Sequence, residues 1–373
     1  EAGGNLSLLG GKAYNNNATI GHGGYDNPDD DDGTNLATLG GDISVSVGGD
    51  LTLEAGLGYH AHVQIGHGGG NHYLDDFTES AIDIIAGGSV AVRGGAGFAS
   101  SENNSRAQAQ IGHGGYNADF ILDSVPGTGN LVIPVAAGSG RGYKGDITID
   151  AGGSVIVEAG HSDAYNLALI GNGGILADGD HSGDITVTAG QRIEVTGGNG
   201  TSALLAQIGH ISYNSSNAIS GEVSITAEDG GIGLTGGNST ANYATIGSGG
   251  YNIHDGSSIS GGTYVTSLGS DAGDGIVMRS GAGSYAAAHI GHLATRETPG
   301  PTITVSGNVE VNVTGGGLLL ESSALGYFSH TMIGHGGRDF SGAKSGNIRV
   351  DVLGGNISLL AGGTNTSSRY NHS

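Results

Sequence analysis

The stretch that decides the fold is Ala109-Gln110-Ile111-Gly112-His113-Gly114-Gly115. Versions of this phrase occur eight times along the chain, and each copy carries an isoleucine followed by a glycine. The anchor isoleucines are Ile20, Ile65, Ile111, Ile170, Ile208, Ile246, Ile290 and Ile333. Successive anchors lie 45, 46, 59, 38, 38, 44 and 43 residues apart. Self-similarity with a period of about 40 residues indicates a repeat architecture.

Two short alternating segments precede the phrase. In the clearest unit they are residues 183–190 (GDITVTAG) and 192–198 (RIEVTGG), followed by the phrase that begins at Ala206. Alternation with a period of two, rich in Ile, Val and Thr and bounded by glycine, is typical of β-strands. Each unit is therefore predicted to contain three short strands separated by turns, with a loop of variable length after the phrase.

One such unit cannot bury its apolar side alone, so the units are predicted to stack with Ile on Ile and Val on Val. The sequence predicts an all-β fold, a parallel β-helix (β-solenoid) of about eight to nine repeats with one three-faced coil per unit, and we expect it to be right-handed. Two shorter coils per unit are an open alternative. A β-propeller is the main competitor, but its blades need four strands and usually carry Trp-Asp, whereas this chain has no tryptophan.

We expect residues 1–373 to form a single continuous solenoid. The longest insertion, residues 116–144, is apolar enough to pack on the rod or to contact a partner. Residues 3–9 match the second strand of a unit, and residues 356–373 stop before another phrase, so both ends are expected to open in the middle of a repeat. Two explanations stay open: a window on a longer protein, or ends that dock on neighbouring subunits in a filament.

Composition narrows the function classes. The chain has 78 glycines and 36% hydrophobic residues, and its lack of cysteine excludes a disulfide scaffold, a thiolate metal site and a cysteine nucleophile. The 12 basic and 35 acidic residues give a net charge of −23, which argues against nucleic acid and anionic membranes as partners. The sequence contains no apolar run of membrane-spanning length, so we expect no transmembrane segment.

The phrasing of residues 40–56, 145–159, 183–198 and 346–363 resembles the haemagglutination-activity and adhesin repeats of filamentous-haemagglutinin-like and autotransporter-type proteins of Gram-negative bacteria. This resemblance implies a secreted, surface-associated β-helix. It therefore implies an extracellular location and a role in a cell-surface fibre, filament or adhesin. The absence of cysteine fits, by the same resemblance, a chain that crosses the periplasm unfolded.

A polar residue, usually histidine, lies two positions after each anchor isoleucine. These residues form a predicted histidine ladder: His22, His67, His113, Asn172, His210, Ser248, His292 and His335. One interpretation is a line of metal ligands or a proton wire, because neutral imidazole is a common ligand. The other is a turn-stabilising ladder in which each side chain hydrogen-bonds backbone groups freed where the strand ends. We favour the structural interpretation, because Asn and Ser fill two rungs and no carboxylate accompanies each histidine.

The acidic loop at residues 25–33 is a candidate cation site. Its carboxylates are Asp26, Asp29, Asp30, Asp31 and Asp32. Hard cations such as Ca²⁺ take oxygen ligands from flexible acidic loops, but the spacing is not that of an EF-hand. Calcium is the one ion that the sequence suggests, and we expect no other cofactor.

We expect a non-catalytic extracellular structural protein that self-associates end to end or by lengthwise stacking. The alternative is a carbohydrate-binding or polysaccharide-degrading β-helix, in which tyrosines after the phrase stack on host or matrix glycans. Catalysis would need clustered carboxylates, whereas the acids in the strands are expected to point outward singly and the strand arginines to form no stacked pair. A third possibility, ice or mineral binding by stacked threonines, rests on Thr186 and Thr188.

Overall fold

The computed structural model describes residues 1–27, 37–96, 106–120, 137–161, 165–201, 203–269, 273, 275–295, 303–337, 340 and 342–362. Within these ranges the chain consists of short β-strands and turns, with no helix. Every strand pair is parallel and joins equivalent segments of successive repeats, so the fold is the predicted parallel β-helix. The five sheets are named I to V in the order in which one coil visits them.

Sheet I is built from the first alternating segment of each unit. Its strands are Ile43–Val47, Ile82–Ala86, Ile147–Ala151, Ile185–Ala189, Val223–Ala227, Thr263–Ser267, Val309–Val313 and Ile348–Val352. Along Ile147–Ala151, buried and exposed residues alternate strictly, because successive side chains point to opposite faces of a sheet. The aliphatic side of this sheet forms one wall of the core.

Sheet II is built from the second alternating segment. Its strands are Leu6–Leu9, Leu51–Glu54, Val90–Arg93, Val155–Glu158, Ile193–Thr196, Ile232–Thr235, Ile276–Arg279, Leu318–Glu321 and Ile357–Leu360. A residue in the left-handed conformation, three positions before each phrase, turns the chain from sheet II into sheet III. These residues are Asn15, His60, Arg106, Tyr165, Ala203, Ala241, Tyr285 and Phe328. Bulky residues rarely adopt this conformation, so the corner is fixed by the coil and not by residue type.

Sheet III is formed by the repeated phrase. Its strands are Ala18–Ile20, Val63–Ile65, Ala109–Ile111, Ala168–Ile170, Ala206–Ile208, Ala244–Ile246, Ala288–Ile290 and Thr331–Ile333. The anchor isoleucines are direct register partners: Ile20 pairs with Ile65, Ile65 with Ile111, and the pairing continues through Ile333. Each phrase thus contributes one coil, which excludes two coils per unit and the radial arrangement of a propeller.

The prediction of three strands per coil needs a correction, because two further sheets complete the coil. Sheet IV contains Gly23–Asn27, Gly68–Phe77, Gly114–Phe120, Gly173–Ile175, Ile211–Tyr213, Gly249–Gly250 and Leu293–Ala294, with Ala37–Leu39 paired beside Gly68–Phe77. Sheet V contains His181–Ser182, Ala218–Ser220, Ser258–Ser260, Thr304–Ser306 and Lys344–Ser345. Most of these strands are only two or three residues long and many contain glycine or serine, so they carry no alternation that would reveal them.

Aliphatic side chains from sheets I, II and III fill one continuous core. In the central coils, Ile111, Ile149 and Val157 are fully buried. Burying a side chain of this size stabilises the fold by about 1.5–3 kcal/mol, so stacking gives each coil a stability that it lacks alone. A second apolar cluster, which includes Leu205, Ile211 and Tyr213, lies outside this core against sheets III and IV.

Candidate functional site

The repeated phrase forms the corner between sheets III and IV, and each of its side chains has a separate task. Ala109 and Ile111 point into the core and are fully buried. Gln110 is only 3% exposed although it lies on the opposite face of the strand. After Gly112 turns the chain, His113 enters the interior and is also fully buried.

Both ring nitrogens of His113 bind backbone groups. Nδ1 accepts a hydrogen bond from the backbone N–H of His67 in the preceding coil, at 3.0 Å. Nε2 lies 2.9 Å from the carbonyl oxygen of Ser80, at the entrance to sheet I. Because Nδ1 accepts and Nε2 faces a carbonyl, the ring is neutral with its proton on Nε2. The side chain therefore ties two successive coils together and bridges two corners of the solenoid.

The same pair of bonds recurs along the ladder. Nδ1 accepts from the preceding rung's backbone N–H at His67 (2.9 Å), His210 (3.0 Å), His292 (3.2 Å) and His335 (3.2 Å). Nε2 faces the carbonyl of Gly41 at His67 (2.6 Å), Gly183 at His210 (2.7 Å), Gly261 at His292 (2.8 Å) and Gly307 at His335 (2.7 Å). His22 is exposed, and its ring stacks on that of His67 with 5.0 Å between centroids.

The two rungs without histidine reproduce the ladder bonds in whole or in part. Asn172 Oδ1 accepts from the His113 N–H at 2.9 Å, and its Nδ2 donates to the carbonyls of Gly145 and Ser182, each at 3.0 Å. Ser248 Oγ accepts from the His210 N–H at 3.2 Å. An amide has a donor and an acceptor at the same end, which is why asparagine replaces both functions of the imidazole.

Burial shifts the titration of these rings. Loss of hydration lowers the pKa of His113 to about 3 and the pKa values of His210 and His292 to about 4. The carbonyl facing each Nε2 acts in the opposite direction, and burial dominates. Burial also lowers the pKa of His67. These rings are therefore neutral over the physiological range.

The hydrogen bonds of the ladder argue against its interpretation as a line of metal ligands. A neutral imidazole offers a metal one lone pair, and at His113 that lone pair already accepts the His67 N–H. Within the described part of the chain, no group of three or more His, Asp or Glu side chains could hold a metal ion. The ladder binds its own backbone instead.

A second ladder, formed by Gln64, Gln110 and Gln207, was not anticipated from the sequence. Nε2 of Gln110 lies within 3.3 Å of three carbonyls, those of His113, Gly171 and Gly173. Gln64 and Gln207 make the equivalent contacts, each with one carbonyl of its own coil and two of the next coil. Recurrence of glutamine at one position of the phrase is the signal that would have predicted it. Alternation alone places this side chain outside the core, in solvent.

Other predicted features lie partly outside the described residues. Asp26 falls in the strand Gly23–Asn27, whose backbone alone is described there, and Asp29, Asp30, Asp31 and Asp32 lie outside the described residues. Most of the 116–144 insertion, residues 121–136, also lies outside them.

The expectation about the strand charges needs a correction. The acids do point outward, but Glu158 lies 3.5 Å from Arg93 of the neighbouring coil, and Glu321 lies 2.9 Å from Arg279. Register makes these cross-coil pairs, because Arg93 is the direct partner of Glu158. The pairs are exposed, so each contributes little to stability.

Sheet I carries a column of three threonines in successive coils, whereas the sequence pointed only to Thr186 and Thr188. Thr188, Thr226 and Thr266 are successive register partners on the outer face of sheet I. Asp150 and Asn312 occupy the same column on either side. A regular threonine face on every coil is therefore absent from this described column.

The ladder predicts how substitutions at His113 behave. His113→Asn should lower the free energy of unfolding by about 1 kcal/mol or less, because Asn172 makes both bonds in the next coil. His113→Phe keeps a ring but leaves the His67 N–H and the Ser80 carbonyl unpaired, so we expect a loss of about 2–5 kcal/mol. Urea unfolding followed by circular dichroism measures both. Equal losses for the two variants would contradict the hydrogen-bonding role.

These observations define a class of protein: a parallel β-helix whose corners are closed by internal histidine and glutamine ladders. Comparison with protein-family models, with curated proteins and with solved structures found no match to this chain. Across the described ranges, no helix has the length and apolar character needed to cross a membrane.

Proposed function

We propose that this protein is a non-catalytic extracellular structural protein, a β-helical rod that forms or belongs to a cell-surface fibre, filament or adhesin. The observation that carries the proposal is the unbroken register of sheets I, II and III. Nine strands in sheet II, about 4.8 Å apart, correspond to a shaft about 40 Å long. The backbone bonds and the histidine ladder run along this axis, so they resist separation of the coils.

The extracellular location and the fibre or adhesin role rest on the resemblance of the repeats to filamentous-haemagglutinin-like proteins. The surface chemistry supports a non-catalytic role. Glu194 pairs with Arg192 at 3.2 Å and Asp351 with Arg349 at 2.7 Å, and all four side chains are well exposed. Acid catalysis of glycoside cleavage uses two carboxyl groups facing one bond, whereas these acids are each engaged with an arginine.

Apolar exposure supports end-to-end self-association. Leu359, in the last strand of sheet II, is 60% exposed, whereas its register partner Leu320 is 5% exposed. Among the described strands, Ile357–Leu360 has a partner on one side only, and an apolar edge strand favours pairing with another chain. A second copy stacking its own coil there would continue the same core.

Electron microscopy of the purified protein tests the rod and its assembly together. We expect slender particles about 40 Å long that join into longer rods as concentration rises. Leu359→Lys should suppress the longer rods, and the matched control Ile85→Lys, equally exposed at 60% on sheet I, should leave them unchanged. Compact monomers that degrade polysaccharide would overturn the proposal.

Antibody labelling of intact source cells tests the surface location, and labelling only after lysis would overturn that part.

A further inference from the structure

A cleft of about 290 Å³ lies outside the main core, between the left-handed corners and sheet IV. Its walls carry four tyrosines and two asparagines: Tyr116, Tyr165, Tyr213, Tyr251, Asn214 and Asn252. The chain has only five phenylalanines and no tryptophan, so four of its fourteen tyrosines in one cleft are a strong local concentration of aromatic surface. The volume is close to the lower limit for small-ligand sites, about 300 Å³.

The four tyrosines of the cleft form an aromatic wall, which packs on the second apolar cluster. Tyr213 is only 6% exposed and packs in the second apolar cluster. Tyr165 meets it edge to face, with 5.8 Å between centroids and an interplanar angle of 89°. Tyr251 lies against its other side at 5.5 Å. Asn252 Nδ2 donates to Asn214 Oδ1 at 2.7 Å, which places an amide pair beside the rings. A preorganised wall of this kind loses little entropy when a ligand binds.

Arg106 connects the cleft to a smaller polar void. Its guanidinium lies 4.1 Å from the centroid of the Tyr116 ring, and Nη1 donates to Tyr59 Oη at 3.0 Å. The buried Nε has no hydrogen-bond partner among the described residues. Arg106 and Tyr116 line both the cleft and a void of about 10 Å³.

Two buried glutamines also face this void with unpaired atoms. Gln64 and Gln108 are 2% and 6% exposed, and both line it. Among the described residues, Gln64 Oε1 and Gln108 Nε2 have no hydrogen-bond partner. Leaving such buried polar atoms unpaired costs about 1–3 kcal/mol each. A group in the void that both donates and accepts hydrogen bonds would therefore stabilise the site. A hydroxyl is the smallest group that does so, and a void of this size holds one oxygen.

We propose that the cleft binds a neutral saccharide, with the face of one pyranose ring on the tyrosine wall and one hydroxyl in the polar void. The C–H bonds of a sugar ring carry a small positive charge that suits the negative face of an aromatic ring. The hydroxyl donates to Gln64 Oε1 and accepts from Gln108 Nε2 or Arg106 Nε. Among the described residues, Arg106 is the one cation lining the cleft, and the net charge of −23 disfavours polyanionic glycans and nucleic acids. The site does not depend on whether the rods assemble.

Saturation-transfer NMR and titration calorimetry test the proposal on the whole chain. The probes are methyl glycosides of glucose, galactose, mannose and N-acetylglucosamine and their β-1,4-linked disaccharides. We expect saturable binding of at least one probe, with saturation concentrated on the C–H protons of one ring face. Tyr251→Leu and Gln108→Leu should each weaken it about tenfold, which corresponds to about 1.4 kcal/mol. Tyr251→Phe should retain binding, and Tyr327→Ala, at an exposed tyrosine that does not line the cleft, is the matched control.

Several results would overturn the saccharide site. One is the absence of binding for every probe to the unmodified protein. Another is binding that Tyr251→Leu and Gln108→Leu leave unchanged, or saturation spread evenly over the sugar. Loss of self-association in Tyr251→Leu without any saccharide binding would assign the cleft to a protein partner instead. The unmodified protein alone supplies the binding and ring-face results, so the test holds even where a variant fails to fold.

Discussion

Gly112→Ala is expected to destabilise the protein by about 4 kcal/mol or more. Gly112 has φ of +147°, a conformation almost restricted to glycine. A Cβ there would collide with the carbonyl oxygen of Gly171 in the next coil. Gly112 N–H donates to Ile65 O at 2.9 Å, and Gly171 N–H to Ile111 O at 2.9 Å. Relieving the collision would force these coils apart.

Two control substitutions separate the causes of this effect. Gly138 has φ of +83° with open space where a Cβ would lie, so Gly138→Ala should cost about 1 kcal/mol from conformation alone. Gly233 lies within a strand of sheet II, and the nearest atom to an added Cβ is 4.0 Å away. Gly233→Ala should stabilise the protein by about 0.5–1 kcal/mol.

Urea midpoints measured by circular dichroism rank the three glycine variants. Solenoids unfold coil by coil when an interface is weakened, so the transition of Gly112→Ala should also broaden. A midpoint for Gly112→Ala close to that of the unmodified protein would mean that the coils can separate at this corner without cost. The steric explanation, in which only glycine lets the two coils approach at this corner, would then be wrong.

The sheets that could be predicted from the sequence are those whose strands alternate. Ile147–Ala151 and Val155–Glu158 bury every second residue, and aliphatic side chains at these positions specify both strand and register. Gly173–Ile175 and Ala218–Ser220 are too short to show such a pattern. They form strands because the neighbouring coils hold their backbone in a position to pair. Stacking of the anchor isoleucines was predictable because each column needs like side chains in every coil.

The histidine ladder was recognisable because one residue type recurs at one position of the phrase. The cleft was not, because its residues come from several coils and differ in each. Arg106 and Tyr165 occupy the same left-handed corner position in successive coils, but their residue types differ, so the sequence does not show that the two positions correspond. Gln108 precedes its phrase by one residue and has no counterpart of the same type before Ala168 or Ala206. Such a site depends on residues that differ between coils, and a search for repeated residues does not find them.

Acidification is expected to destabilise the protein steeply between about pH 6.5 and pH 4. In the unfolded chain a histidine has a pKa of about 6.5, whereas burial lowers the pKa of His113 to about 3 and those of His210 and His292 to about 4. The unfolded state therefore binds protons first. The stability contributed by the neutral rings is complete above the unfolded value and is lost as pH falls towards the folded one. Near pH 5 each ring costs about 2 kcal/mol.

The hydrogen bonds explain why the folded protein cannot adapt to acid. Protonating His113 would place a second N–H at Nδ1, against the N–H of His67 that it now accepts. Asp146 and Asp184 favour the charged form of His210, but burial outweighs them. Asp178 opposes the trend, because burial raises the pKa of its carboxyl and acid relieves that cost. Neutralising the net charge of −23 also relieves repulsion, but its contribution is spread over exposed groups.

His113→Asn isolates the contribution of one rung. Near pH 7 it should change stability little, and near pH 5 it should lose about 2 kcal/mol less than the unmodified protein does, because asparagine does not titrate. The matched control is Ser248→Ala, which removes one hydrogen bond of the ladder without removing a titratable group, and it should leave the pH dependence unchanged. Urea midpoints at several pH values measure all three proteins. A midpoint that stays constant from about pH 7 to pH 4.5 would contradict the neutral buried ladder, and with it the hydrogen-bond directions that tie each coil to the next.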